Sequence, residues 1–344
     1  MSQPKSPNRS MKWMTIAMIA CCAIPIAIAL SLGGGLGVFL GRSIQRLTSP
    51  TSANSAQNPP QSQPSTTKSG VSLQPAENWQ ADNHVHGLAV NPKNPKILYV
   101  ATHNGLLQRS EAGQWFWMGK QRADYMGFTA DPTNENRFYS SGHPPTGGNL
   151  GFQLSDNQGE DWQQIALPGV DFHALAIAPS NPNVFYGFPA SGAEGIHRST
   201  DGGKTWVQTQ MKGLEAAPFG LHVDPRNADH VFATTRAGLY ESRDRGETWS
   251  AIASTQNAPI AGLALLNSNN TNTVMIGYRV VQSDPGLHRS NDNGKTWEKL
   301  GAGTEGLILQ VAIAPSNSQI IYAVNENNVV FQSQDGAKTW TRLG

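Results

Sequence analysis

The chain has 344 residues, 14% of which are charged, and a formal net charge of +1. This composition is typical of a globular domain with additional terminal segments. The sequence has neither an excess of basic residues nor an acidic tail. The charge balance gives no sign of a nucleic acid partner, and we expect none.

The first elements in chain order are a short polar segment and a long uncharged one. Residues 1–12 carry three positive charges, and no charged residue occurs in the 28 positions from Trp13 to Leu40. As a helix this run would extend about 42 Å, more than the ~30 Å hydrocarbon core of a bilayer. We therefore predict a transmembrane signal-anchor at residues 13–41. The positive-inside rule places residues 1–12 in the cytoplasm and the rest of the chain outside it, in the periplasm or the extracellular space.

A lipoprotein signal that ends at Cys21 is the alternative to the anchor. Met18-Ile19-Ala20 is a poor lead-in to such a site, and the uncharged residues 23–40 would be left unexplained. Cys21 and its neighbour Cys22 are the two cysteines of the chain, so we expect no disulfide in the large domain.

Residues 42–82 follow as a stretch rich in Ser, Thr, Pro, Gln and Asn. Such a composition has too little apolar surface to bury, and it predicts a disordered tether.

The remainder of the chain is organised around one repeated segment. Residues 199–206 read Ser-Thr-Asp-Gly-Gly-Lys-Thr-Trp, or S-x-D-x-G-x-T-W. An Asp side chain in such a turn accepts bonds from nearby backbone N–H groups, and Gly supplies a positive φ. The Trp opens the next strand and can fill space between neighbouring sheets. We interpret the segment as a structural turn between two strands.

Copies of this turn recur at a steady interval. Their first residues are Ser110, Ser155, Ser199, Ser242, Ser290 and Ser333. The period of 43 to 48 residues is typical of a four-stranded propeller blade. Each repeat also contains an apolar strand, an Asn/Pro turn and two further β-rich segments, with no helical periodicity. We predict an all-β, six-bladed β-propeller over residues 83–344, with no strand exchanged to close the ring.

The repeated turn resembles the BNR or Asp-box repeat of sialidases, sortilin-like receptors and many bacterial exported propellers. The resemblance covers residues 84–344 and implies Asp-box hairpins on a propeller. Members of this superfamily include hydrolases, receptors and assembly factors, so it implies no single function.

Because the strands of a blade alternate in direction, its loops sort onto two faces. The repeated turns lie on one face. The other face, called here the histidine face, carries the starts of the innermost strands and the loops between the second and third strands. We call the position near the start of the innermost strand the ring position. From blade one to blade six it is occupied by His86, Met126, His173, Phe219, Ala261 and Leu309. Two residues earlier stand His84, Asp124, Asp171, Ala217, Pro259 and Leu307. The loop position, between the second and third strands, is filled by His103, His143, Ala190, Arg236, Arg279 and Glu326.

Five of the nine histidines fall at these positions in the first three blades. Residues i and i+2 of a strand share a face, so we predict one polar cluster at the axial mouth. Its members are His84, His86, His103, His143 and His173 as metal ligands, with Asp124 and Asp171 as ligands or partners. Nitrogen and carboxylate ligands suit zinc, copper or iron, and Met126 would favour copper. The alternative is a hydrogen-bonded polar plug without a ligand.

A glycoside hydrolase is the second hypothesis. Asp124, Asp171 or Glu326 would then do the acid–base work, and Arg236 with Arg279 would hold a carboxylate. The segments at 84–106, 124–144 and 171–175 resemble bacterial exported propellers labelled glycosyl hydrolases by homology. The Arg-Ile-Pro motif of sialidases is absent from the sequence.

A partner-binding assembly factor is the third hypothesis, since the repeats resemble those of the propeller that helps to build photosystem II. The expected ligand of the histidine face is therefore a small molecule, a glycan or a protein, besides a possible zinc or copper ion.

Overall fold

The computed structural model of the chain describes residues 70–266 and 272–344. Within these residues the strands form six antiparallel sheets. The innermost strand of each sheet packs against that of the next, and the sixth packs against the first, which closes a ring. The six-bladed, all-β propeller predicted from the sequence is confirmed.

The strands follow the chain from the inner to the outer edge of each blade, apart from an added first strand in blade one. Blade one contains β1 (Leu73–Pro75), β2 (Val85–Val90), β3 (Leu98–Thr102), β4 (Gly105–Arg109) and β5 (Trp115–Met118). Blade two contains β6 (Asp124–Ala130), β7 (Phe138–His143), β8 (Phe152–Ser155) and β9 (Gln163–Ala166). Blade three contains β10 (Asp171–Ala178), β11 (Asn181–Ser191), β12 (His197–Ser199) and β13 (Val207–Gln208).

The other three blades have the same order. Blade four contains β14 (Pro218–Asp224), β15 (Asn227–Thr235), β16 (Gly238–Ser242) and β17 (Ser250–Ala251), followed by a 3-10 turn at Ala253–Thr255. Blade five contains β18 (Ile260–Leu266), β19 (Val274–Arg279), β20 (Gly286–Ser290) and β21 (Glu298–Lys299). Blade six contains β22 (Ile308–Ile313), β23 (Ile321–Asn325), β24 (Val330–Ser333) and β25 (Thr341–Arg342).

The repeated turn between the third and fourth strands is held by its own side chains. In blade three, Ser199 Oγ donates to Asp201 Oδ1 over 2.8 Å and accepts from Gly203 N over 2.9 Å. Asp201 accepts from the hydroxyl and the N–H of Thr205 over 2.6 and 2.9 Å, and these bonds lower the pKa of Asp201 to about 2. Trp206 Nε1 donates to Gly203 O over 2.8 Å. The copies in blades four, five and six repeat the Ser–Asp and Asp–Thr bonds.

Buried apolar side chains pack between neighbouring blades rather than in one central mass. The ring of Trp206 lies 5.0 Å from that of Phe152 in blade two and 5.0 Å from that of Phe172 in blade three. The tryptophan of the turn thus fills the space between two sheets, as predicted. Burial of one such large side chain contributes about 1.5–3 kcal/mol.

Blades six and one are joined by hydrogen bonds where the two ends of the described chain meet. Asn328 Oδ1 accepts from Val85 N over 3.2 Å, and its Nδ2 donates to Asn83 O over 2.7 Å. Trp115 Nε1 donates to Gly344 O over 2.6 Å. Blade six is built from its own four strands, so none is exchanged at this junction.

The N-terminal boundary of the propeller differs from the prediction. The tether was expected to run to residue 82, but β1 pairs with β5, with Leu73 opposite Met118. Trp79 is buried, and its ring lies 4.9 Å from that of Trp115. Residues 73–82 therefore belong to the propeller. A three-residue edge strand that ends in proline has too little alternation to be recognised in the sequence.

No helix in the described residues has the length and hydrophobicity needed to cross a bilayer. The predicted cytoplasmic segment at residues 1–12, the anchor at 13–41 and most of the tether lie outside the described residues. They stay predictions.

Candidate functional site

Each blade has one extra residue near the start of its innermost strand. In blade one, Val85 pairs with Thr102 and Gly87 with Ala101, so His86 has no partner of its own on β3. The same register shift occurs at the ring position of the other five blades. A β-bulge of this kind re-aims the side chain of the extra residue and is common beside functional sites. The fold therefore presents the six ring-position residues at one end of the propeller.

The first cluster joins His86 and His103 of blade one to Asp124 of blade two. His103 Nδ1 lies 2.7 Å from Asp124 Oδ2, and His86 Nε2 lies 3.2 Å from Asp124 Oδ1. The two imidazole rings meet edge to face with centroids 6.4 Å apart. His86 and Asp124 are half-buried and His103 is exposed, so the cluster opens to solvent on the His103 side.

The second cluster repeats this arrangement one blade further round the ring. His143 of blade two and His173 of blade three place their Nε2 atoms 3.1 and 2.7 Å from the same Asp171 Oδ2. The Asp171 side chain is only 2% exposed, whereas that of His143 is 38% exposed. In each cluster, one ligand atom from each of the three residues lies within 4.8 Å of the other two.

The sequence predicts one cluster of five histidines, and the structure instead places four of them in two clusters. His84 is exposed and belongs to neither cluster. Its backbone oxygen accepts from His103 N over 3.0 Å at the end of the sheet. Convergence of residues i and i+2 holds for Asp171 and His173, which both lie on β10, but fails for His84 and His86, because His84 precedes the first residue of β2.

Some buried polar atoms of the clusters have no hydrogen-bond partner among the described residues. Asp171 Oδ1 has none, and His86 Nε2 and Asp124 Oδ1 lie 3.2 Å apart without the geometry of a hydrogen bond. Burial by itself raises the pKa of Asp124, but the attraction of His86 and His103 and the hydrogen bond with His103 outweigh it, so this pKa lies below its ordinary value. An unpaired buried polar group costs about 1–3 kcal/mol. Both clusters would gain stability from a cation that all three side chains could share.

The tautomer of His143 is set by the loop that follows it. His143 Nδ1 lies 3.1 Å from Gly148 O. A carbonyl oxygen only accepts, so Nδ1 carries the proton and Nε2 of the neutral ring presents a lone pair. That lone pair faces Asp171 Oδ2 at 3.1 Å. Two acceptors at this distance repel each other unless a proton or a metal ion lies between them.

Sequence reasoning missed the role of Gly148. Its φ of +91° is a conformation that favours glycine, and it directs the carbonyl back toward His143. The Gly147-Gly148 pair shortly after a candidate ligand was the signal in the sequence that could have indicated this loop.

The predicted position of Arg279 is wrong by one residue. Arg279 pairs with Ile260 inside the sheet, and Val280 takes the loop position, where its N–H donates to Pro259 O over 2.8 Å. Arg279 Nη2 donates to Ser254 O over 3.2 Å. The sequence does not show where the pairing between β18 and β19 ends. The alignment of the repeats therefore assigned Arg279 to the loop, although it is the last paired residue of β19.

The other predicted residues of this face lie near their expected positions. Arg236 is exposed and directly follows the last residue of β15. Glu326 is exposed, and its Oε2 accepts from Leu307 N over 2.5 Å. Glu326 therefore braces the start of its own blade. Of the three predicted acid–base carboxylates, Asp124 and Asp171 are each shared by two imidazoles, and Glu326 is held by backbone.

No protein-family model matches the chain. A curated relative, the probable oligoxyloglucan-reducing end-specific xyloglucanase of Neosartorya fischeri, is 25% identical over 194 residues. The match covers 49% of this chain and 24% of that protein, so the chain spans about a quarter of its length.

Two solved structures extend the comparison. The Niastella koreensis GH74 enzyme aligns with a TM-score of 0.54 at 18% identity, over 75% of this chain and 45% of that chain. YCF48 from Cyanidioschyzon merolae aligns with a TM-score of 0.41 at 12% identity, over 63% of this chain and 84% of that chain. The first similarity shows the propeller fold. The second is too weak to carry an argument.

Proposed function

We propose that this protein is a membrane-tethered propeller that binds a transition-metal ion, zinc or copper, at the histidine face. The single observation that carries the proposal is the contact between His143 and Asp171. The Gly148 carbonyl occupies the N–H of His143 Nδ1, so Nε2, 3.1 Å from a buried carboxylate oxygen, is the ring nitrogen open to a proton or a metal ion. A cation bound there would take one lone pair from the imidazole and one from the carboxylate.

The composition and spacing of the clusters fit such an ion. Two imidazoles and one carboxylate are a ligand set used for zinc, and imidazole also suits copper and iron. Ligand atoms bound at about 2.1 Å in tetrahedral geometry lie roughly 3.4 Å from one another. The observed separations at Asp171 Oδ2, 3.1 and 2.7 Å, are shorter than this, so the side chains would have to move apart by less than about 1 Å to admit the ion. Three protein ligands leave a coordination position for an external ligand.

Elemental analysis of the purified full chain tests the proposal. After dialysis against zinc or copper and removal of free metal, the wild type should retain the ion in stoichiometric amount. The double variant His86→Ala with His173→Ala removes one ligand from each cluster and should lose it. His84→Ala is the matched control, because His84 lies in the same region outside both clusters. A wild type without metal, or a double variant with the full amount, would refute the metal-binding function.

A glycan-processing activity is the second candidate, and the curated xyloglucanase relative favours it. In that case Asp124, Asp171 or Glu326 supplies the acid and base, and Arg236 contacts the substrate. Incubation with xyloglucan oligosaccharides tests this candidate. Release of sugar that is lost in Asp171→Asn would support it, and release that persists in metal-free protein would separate it from a metal-dependent reaction.

The anchor and the tether make the propeller extracytoplasmic in this proposal. The uncharged run at residues 13–40 and the Ser/Pro-rich stretch after it support that topology. Protease added to intact cells or spheroplasts should release a soluble fragment that begins in the tether. A propeller that resists until the membrane is lysed would reverse the orientation.

A further inference from the structure

We infer that Met126 supplies a thioether ligand to the ion at the histidine face and makes this site selective for copper over zinc. The inference rests on the proposed metal-binding function and names a further ligand of the same site.

The position of Met126 in the ring is the first observation. Met126 is at the bulge of blade two, where Tyr125 pairs with Gly142 and the register has shifted by Phe128. The equivalent residues of the neighbouring blades are His86 and His173, one in each cluster. Met126 therefore lies between the two clusters along the ring.

The equivalent residues, His86 and His173, show which interfaces between blades a side chain at this position can reach. His86 of blade one contacts Asp124 across the interface between blades one and two. His173 of blade three joins Asp171 and, through it, His143 across the interface between blades two and three. Blade two adjoins only these two interfaces, and each contains a cluster. Met126 holds in blade two the place that His86 holds in blade one, so the repeat directs its flexible side chain toward the interface that contains His143 and Asp171.

The surroundings of Met126 are the second observation. It is half-buried, yet it belongs to none of the six apolar cores of the described residues. Met118 and Met275, by contrast, are buried within cores. Met211 is half-buried like Met126, but it packs against the core between blades three and four. Core packing therefore accounts for these three methionines, whereas Met126 belongs to no core of the described residues.

The chemistry of the side chain decides which metal is favoured. A thioether is a soft ligand that selects Cu(I), whereas zinc is bound by His, carboxylate and thiolate. Two imidazoles, a carboxylate and a thioether together form a donor set for copper. The ring-position residues of blades four to six, which are Phe219, Ala261 and Leu309, carry no ligand atom.

The test compares copper and zinc affinities of the full chain and of Met126→Leu, which preserves volume and removes sulfur. Cu(I) affinity is measured under ascorbate by competition with bathocuproine disulfonate, and zinc affinity by competition with a fluorescent chelator. The ratio of copper to zinc affinity should fall by at least about tenfold, since even the loss of a residue that only orients a ligand costs that much. Met211→Leu, with its similar burial, should leave the ratio as in the wild type.

X-ray absorption at the copper edge gives a second readout. The wild type should show one sulfur scatterer, and Met126→Leu should show only nitrogen and oxygen. A wild type that binds copper without a sulfur scatterer, or a ratio equal in both proteins, would overturn the role of Met126 and leave the metal site standing. A wild type that binds neither ion would overturn both proposals.

Discussion

Two groups of histidines and carboxylates in this propeller have opposite stoichiometry. The second cluster on the histidine face has two imidazoles on one carboxylate, Asp171. On the opposite face of blade four, one imidazole, that of His230, lies 3.1 Å from Asp224 and 3.1 Å from Glu241. Both groups contain a buried carboxylate. One group has two imidazoles for one carboxylate, and the other has one imidazole for two carboxylates.

The His230 network is complete without any added ion. Burial by itself lowers the pKa of His230, but hydrogen bonds to Asp224 and Glu241 outweigh it and raise the pKa. Thr273 and Arg226 also donate to Asp224. A protonated His230 with two carboxylates therefore satisfies its own hydrogen bonds. The second cluster has two imidazoles on one carboxylate instead, and we propose that a metal ion shared by the three side chains completes it.

The largest expected effect comes from Asp224→Ala. This variant leaves His230 and Arg226 with one carboxylate fewer, and loss of one partner from a buried charge pair costs about 3–5 kcal/mol. Urea denaturation should show that loss in the free energy of unfolding. The folded fraction should bind metal as the wild type does, because Asp224 is on the opposite face. Weaker metal binding by the folded protein would contradict the separation of the two groups.

Asp171→Asn should have the reverse outcome. Removal of the shared carboxylate should weaken metal binding by about 100-fold or more. The stability of the metal-free protein should change by less than about 1 kcal/mol, since an amide can still hydrogen-bond to the imidazoles. Zinc titration and denaturation in chelator measure the two quantities. Asp229→Asn, at an exposed ion pair with Arg245, is the matched control.

The two groups should also respond to pH in opposite directions. The raised pKa of His230 gives a stabilising contribution that is full below pH ~6.5, the reference value in the unfolded chain, and is lost as pH rises through the folded value. Metal binding should instead strengthen as pH rises through ~6.5, because imidazoles must lose a proton to bind an ion. Denaturation of the wild type and of His230→Gln in chelator, beside zinc titration over the same pH range, measures both trends. Metal affinity that falls with rising pH would contradict the comparison.

The smallest expected effect comes from a substitution in the repeated turn of blade four. Gly246 has a φ of +88°, and a Cβ there would lie 3.3 Å from Thr209 Cγ2. Gly246→Ala should lower the free energy of unfolding by about 1–2 kcal/mol, the cost of a left-handed conformation for a residue with a side chain. The chain tolerates this residue in blade six, where Ala337 has a φ of +72°. Metal stoichiometry measured on the same samples should match the wild type.

The sequence predicts the scaffold better than the site. The turn recurs with the same residue types, and hydrogen bonds such as Ser199 to Asp201 are local, so the number of blades follows from its period. The five-stranded first blade was missed because β1 acquires its partner only through β5, which is about 40 residues further along the chain.

The functional site was predicted only in part, because its contacts also join residues that are distant in the sequence. The repeat alignment placed His86, His143 and His173 on one face, but it does not show which residues of neighbouring blades meet. Two carboxylates, Asp124 and Asp171, each contact a histidine of the preceding blade, so the residues form two clusters at two blade interfaces, and His84 falls outside them. Tautomers and carbonyl contacts such as that of Gly148 depend on loop geometry, which residue spacing does not specify.

The most direct test of the metal site is anomalous diffraction from crystals of the protein equilibrated with zinc. We expect a peak at the zinc edge between His143 Nε2, His173 Nε2 and Asp171, with distances of about 2.0–2.2 Å to the ligand atoms. An empty map at saturating zinc, with both imidazoles in direct contact with Asp171, would contradict the metal-binding function.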